Sequence, residues 1–224
     1  MTGLVRTATA EAIATLLFVF SIVTAINTTG GAAPFAIGFT LMVLVYATGH
    51  VSGAHLNPAV SFGAWLRGAI NAGTFLAYVV AQLIGGALGA LISLALFPRA
   101  QAPVQIEILP AFLVEALFTL ILVYVVLNVA TSKDTAGNSF YGFAIGATVF
   151  VGALSVGAIS GGGFNPAVAV SLAISGQFAV ANLWLYILAP LVGAAIAAGI
   201  FRLLNADEFK KEVEVEVVEV VEAK

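Results

Sequence analysis

The stretch SGAHLNPAVSF at residues 52–62 returns as SGGGFNPAVAV at residues 160–170, 108 residues further along. The likeness is wider than these eleven positions. EAIATLLFVF from Glu11 is matched by EALFTLILVY from Glu115, and AQLIGG from Ala81 by APLVGA from Ala189. Glu11 and Glu115 lie 104 apart, so the second half is four residues longer between its Glu and its Asn. One half is written twice, and the chain must build the same unit two times over.

Composition decides in which solvent it does so. Hydrophobic residues make up 61% of the chain and charged ones 8%, against roughly 25% charged in an ordinary soluble domain. Mean hydropathy is +1.11, and apolar runs of about 20 residues have the length of membrane-spanning helices. Six are expected, over residues 4–27, 34–51, 73–97, 109–131, 139–158 and 179–204. The first carries Glu11, lacks a clear small-residue cleavage site and has a counterpart later in the chain. It reads as a retained span rather than a signal peptide.

With no cysteine there is no disulfide framework or thiolate site, and His50 and His55 are too few for a metal cluster. No cofactor, metal or nucleic-acid partner is expected. Seven of the eleven acids fall between Asp207 and Glu222, and the tail 206–224 reads as an exposed acidic appendage to a channel domain over 1–205. Seven of the eight basic residues (Arg6, Arg67, Lys133, Arg202, Lys210, Lys211, Lys224) fall on the side that holds both termini; Arg99 alone falls on the other. That asymmetry predicts cytoplasmic termini.

Each half, about 4–97 and 109–204, holds three spans. Because three is odd, the second copy enters the membrane from the opposite face, which makes the halves an inverted repeat. The two Asn-Pro-Ala segments then dip in from opposite sides and meet near the midplane. Asn is a favoured helix N-cap, and Pro at the first helical position gives up an N–H that had no partner there anyway. Asn57, Pro58 and Ala59, like Asn165, Pro166 and Ala167, therefore start helices. Some ten residues of helix cover roughly 15 Å, half of a hydrocarbon core about 30 Å thick. Non-helical backbone at residues 50–57 and 157–165 must be buried in protein or line a water-filled path. Two facing helix N-termini and two Asn amides would welcome a lone-pair oxygen and repel cations there.

Paired Asn-Pro-Ala motifs, the flanking SGAHLNPAVS and a Glu in the first span of each half resemble the major intrinsic protein family, the aquaporins and aquaglyceroporins. The resemblance covers residues 4–204. It implies an all-α membrane protein with six transmembrane helices, two re-entrant half-helices, one pore per subunit and a homotetramer in the lipid bilayer, the plasma membrane being the default. It also implies passive conduction past Asn57 and Asn165, with His55, Gly161 and Gly163 contributing to the pore wall. Glu11 and Glu115, costly inside a span, would brace the re-entrant backbone, a proton relay being the alternative.

Counting from the two Asn residues, the family's outer constriction matches Ile37, Ala153, Gly162 and Val168. The arginine usual after the second motif is replaced by Val168, which implies a wider, more apolar filter. Water is then expected together with small neutral solutes such as ammonia, urea or hydrogen peroxide, although an apolar ring can also close by dewetting. Glycerol conduction is the first alternative; Ala169 stands where aquaglyceroporins carry an acid. A non-conducting structural role is the second alternative. An enzyme is not expected, since no nucleophile and base pair stands out.

Overall fold

A computed structural model describes residues 3–209, which form eight α-helices and no strand. Three long helices and one short one make up each half. In the first half these are α1 (Gly3–Thr28), α2 (Ala33–Ser52), the short α3 (Pro58–Arg67) and α4 (Ala72–Leu94). In the second they are α5 (Ile108–Thr131), α6 (Tyr141–Ser160), the short α7 (Pro166–Ile174) and α8 (Leu183–Leu204). The six long helices are each apolar and long enough to cross a membrane, and large apolar side chains such as Leu76, Val80, Leu117 and Leu154 stand exposed on their outer faces. A helix satisfies its own backbone, so such faces are stable against lipid.

Two features differ from the expected boundaries. Helices α2 and α6 run on to Ser52 and Ser160, so the irregular backbone is only 53–57 and 161–165. Both stop at a left-handed glycine, Gly53 (φ 87°) and Gly161 (φ 89°), whose N–H closes the last turn onto Gly49 and Gly157. Glycine reaches this conformation at no steric cost, so it ends a helix that hydrophobicity alone would continue. The second difference is at the C-terminus. Ala206–Phe209 forms a short 3-10 turn that folds back onto the body. Within it Glu208, expected in an exposed tail, pairs with Arg67 at the end of α3 and accepts from the Ser132 hydroxyl and the Lys133 N–H. Arg67 is thus paired within the protein rather than solvated or matched to a lipid headgroup. The rest of the expected tail, 210–224, lies outside the described residues.

Close packing between helices runs through small residues, as membrane bundles favour. A β-carbon on Gly85 would lie 2.1 Å from the Ala12 carbonyl oxygen, and one on Gly193 would lie 2.2 Å from that of Ala116. These are the same contact made twice, α4 on α1 and α8 on α5. Where α2 crosses α6, the pseudo-symmetric glycines face each other: a β-carbon on Gly38 would be 2.7 Å from the Gly146 oxygen, and one on Gly146 2.5 Å from the Gly38 oxygen. The short helices interlock the halves, α3 packing against α8 and α7 against α4.

Candidate functional site

The two Asn-Pro segments meet in the core. Asn57 caps α3, its side-chain oxygen accepting from the Ala59 N–H at 2.8 Å; Asn165 caps α7, accepting from Ala167 at 2.9 Å and Val168 at 3.3 Å. Capping uses only the oxygen, which leaves each amide NH2 free to act across the interface. Asn57 donates to the Phe164 carbonyl at 2.9 Å, and Asn165 to the Leu56 carbonyl at 2.8 Å. Each Asn thus grips the residue that precedes the other. A carboxamide has two N–H donors, so one hydrogen per Asn remains beyond this reciprocal pair. Both Asn residues line a central cavity of about 280 Å³.

The residues before each Asn sit in a strained conformation. Leu56 has φ 50° and Phe164 φ 48°, left-handed values that a side chain rarely adopts. Such strain persists only where neighbours over-determine it, and here buried carboxylates do so. Glu11, on α1, accepts four hydrogen bonds: from the Ser52 hydroxyl (2.6 Å), the His55 N–H (2.9 Å), the Leu56 N–H (2.7 Å) and the Gln82 amide (2.8 Å). Glu115, on α5, accepts three: from the Ser160 hydroxyl (2.7 Å), the Gly163 N–H (2.8 Å) and the Phe164 N–H (2.6 Å). Both carboxylates are fully buried. An acceptor with several lone pairs is the natural partner for a row of N–H groups that no helix uses.

Reading the sequence singled out the two glutamates but missed the groups around them. Ser52 and Ser160 cap the carboxylates, and Tyr78 and Tyr186 donate to the Ser52 and Ser160 carbonyls. The signal was present: both pairs repeat at the same 108-residue offset as the Asn residues.

The cavity wall brings the remaining candidates together. Ile37, Ala153, Gly162 and Val168 all line it, as do His55, Gly161 and Gly163. Val168 is 3% exposed, seated in the first turn of α7, and among the described residues no Asp, Glu, Lys or Arg lines this cavity. A second, larger recess of about 580 Å³ on the side of the termini shares His55 with it. His55 therefore stands between the two openings. Phe164 packs on Phe118 at 5.5 Å between ring centres, and a β-carbon on Gly152 would strike the rings of both. The small residues of α6 make room for the strained loop.

Two inverted three-helix halves, each sending a half-helix from an Asn cap at the centre toward opposite faces around a shared cavity, define a polytopic membrane protein of inverted-repeat architecture. The chain belongs to the major intrinsic proteins, whose family model matches residues 1–201. Aquaporin NIP1-4 of Oryza sativa subsp. japonica is 35% identical over 75% of this chain and 63% of its own length. The chain therefore spans somewhat less than two thirds of that relative. A glycerol uptake facilitator protein-like 6 of Lactiplantibacillus plantarum is 37% identical over 77% of this chain and 84% of its own. In three dimensions the X-ray structure of the aquaglyceroporin from Plasmodium falciparum superposes with a TM-score of 0.76 at 23% identity, covering 88% of this chain and 95% of that one. That likeness is one of fold.

Proposed function

We propose that the chain conducts water together with small neutral solutes, such as ammonia, urea or hydrogen peroxide, past Asn57 and Asn165. The observation that carries this reading is the composition of the wall. Ile37, Ala153, Gly162 and Val168 line one cavity with both Asn residues, and none of the four offers a charge. Without a fixed cation and its donors at the position of Val168, nothing in that ring selects water over another small neutral molecule. The Asn amides and the N-termini of α3 and α7 supply hydrogen donors and positive potential at the centre, which favours lone-pair oxygens and disfavours cations. The four positions act as the selectivity filter. Glu11 and Glu115 brace the re-entrant backbone, as their hydrogen bonds to Leu56 and Phe164 support.

The excess of basic residues on the side of the termini supports cytoplasmic termini, and the family supports a homotetramer in the bilayer. Glycerol is the second reading, favoured by the likeness to a glycerol uptake facilitator-like protein. Stopped-flow light scattering on proteoliposomes shocked with urea, and in parallel with glycerol, tests both. Rapid shrinkage followed by rapid reswelling in urea is the expected result. Fast reswelling in glycerol as well moves the assignment to an aquaglyceroporin. Shrinkage without accelerated reswelling in either makes this a water channel alone, and no acceleration at all makes it a non-conducting structural protein.

A further inference from the structure

The halves mirror each other around the two glutamates, except in one place. Between Glu11 and His55 the first half inserts a chain of polar side chains that the second half lacks. The Gln82 amide nitrogen donates to Glu11 at 2.8 Å and to Ser61 Oγ at 3.0 Å, and Ser61 Oγ lies 3.0 Å from His55 Nδ1. At the matching positions, 108 residues on, stand Pro190, Ala169 and Gly163, none with a polar side chain.

The direction of each bond in this chain follows from counting protons. Glu11 is an acceptor from its four donors, so Gln82 must turn its NH2 toward it; the reverse would set oxygen against carboxylate. The second Gln82 hydrogen then points at Ser61 Oγ, while the Gln82 carbonyl oxygen is left buried without a partner. Ser61 is fully buried and its hydroxyl makes no other hydrogen bond among the described residues. Accepting from both neighbours would leave the hydroxyl proton buried without an acceptor, so the proton goes to His55 Nδ1, which must then be bare. A neutral imidazole with a bare Nδ1 carries its hydrogen on Nε2. Among the described residues Nε2 makes no hydrogen bond, and it is not among the buried unpaired atoms; His55 lines both recesses.

We infer that Ser61 and Gln82 are positioning residues that hold His55 in the Nε2–H tautomer, so that it presents a hydrogen-bond donor to the conducting path. The placement of that donor in the path rests on the proposed channel function; the tautomer does not. His55, Asn57 and Asn165 then all offer hydrogens to a passing solute, and the wall between the two recesses favours neutral molecules with lone pairs.

The chain has only two histidines, so nitrogen NMR of the full protein labelled with 15N-histidine, in lipid bilayers at neutral pH, reads His55 directly once His50→Gln has assigned the other. The expected spectrum shows a protonated Nε2 and an unprotonated Nδ1. Ser61→Ala, which installs the residue already present at position 169, should lose this single pattern and show both tautomers. Gln82→Met, which removes the donor that fixes the Ser61 hydroxyl, should also show mixed tautomers and serves in place of Ser61→Ala if that variant fails to fold. A wild-type His55 protonated on Nδ1, or variants that leave the wild-type pattern intact, would overturn the inference. Water permeability measured on the same proteoliposomes keeps the two readings apart: a fixed tautomer without water flux refutes the channel function and leaves the positioning of His55 by Ser61 and Gln82 standing.

Discussion

Replacing Glu115 by Gln separates a bracing role from a dispensable charge. The carboxylate takes two hydrogen bonds on Oε1, from Ser160 and Gly163, and one on Oε2, from the Phe164 N–H. A Gln placed with its oxygen at Oε1 keeps the first two and turns its NH2 toward Phe164. One buried N–H is orphaned at the residue whose φ is 48° and whose carbonyl holds Asn57. An orphaned buried donor costs about 1–3 kcal/mol, and in a chain of this size each kcal/mol lowers Tm by roughly 2–4 °C. Glu115→Gln should therefore melt roughly 2–12 °C below wild type. Relief from burying a charge works the other way, which places the result toward the lower end of that range. Glu115→Ala orphans the Gly163 N–H as well and should melt lower than Glu115→Gln. Melting of the detergent-solubilised protein, followed by the fluorescence of Trp65 and Trp184, measures both. A Glu115→Gln protein that melts with wild type, or a Glu115→Ala protein no less stable than it, would refute the argument. Counting donors alone predicts that Glu11→Gln is worse, since Glu11 has four. The structure predicts a similar drop, because the new glutamine can keep its oxygen at the Oε2 position for Leu56 and Gln82 and turn its NH2 toward the Ser52 hydroxyl, which orphans one backbone N–H, that of His55.

Val168→Arg should cut urea flux more than water flux in reswelling assays, because it sets a longer side chain with donors and a charge among Ile37, Ala153 and Gly162; equal loss of both would refute the proposed role of Val168 as a filter residue. Gly193→Ala drives a β-carbon to 2.2 Å from the Ala116 oxygen and forces α8 away from α5. Overpacking of this kind costs about 1–3 kcal/mol or more, and a Tm unchanged from wild type would contradict the contact. Burial alone would raise the Glu208 carboxyl, but the Ser132 hydroxyl, the Lys133 N–H and the Arg67 guanidinium outweigh it and hold its pKa below the ordinary value. Its folded pKa is the lower one, so the contribution to stability is complete above about pH 4.3, the unperturbed Glu value, and fades as pH falls through the folded pKa. Wild type should lose its advantage over Glu208→Gln in melting experiments below that pH; a constant difference down to strongly acid pH would refute the pairing.

Much of the site was legible because the chain repeats itself. The 108-residue offset locates both Asn caps and both half-helices, and the odd span count inverts one half against the other, all from local rules of hydropathy and capping. What the offset could not reveal are the bonds between the halves. The grip of Asn57 on Phe164 and of Asn165 on Leu56 depends on the two strained turns arriving face to face, and no local rule predicts that the amides reach across. Arg67 and Glu208 are similar: 141 residues separate them, and a charge pair so distant in sequence forms only because α3, α5 and α8 end at one face.

The amino-acid sequence by itself determined the solvent, the spans, the inversion and the chemistry placed at the centre, since each follows from periodicity, proline and asparagine. Tertiary structure decided which of those groups share hydrogen bonds: the carboxylates against left-handed backbone, the hydrogen-bonded chain from Glu11 through Gln82 and Ser61 to His55, and the docking of Ala206–Phe209. The physical reason is that a hydrogen bond depends on distances of a few tenths of an ångström and on the direction of each donor. Only the packed helices set those.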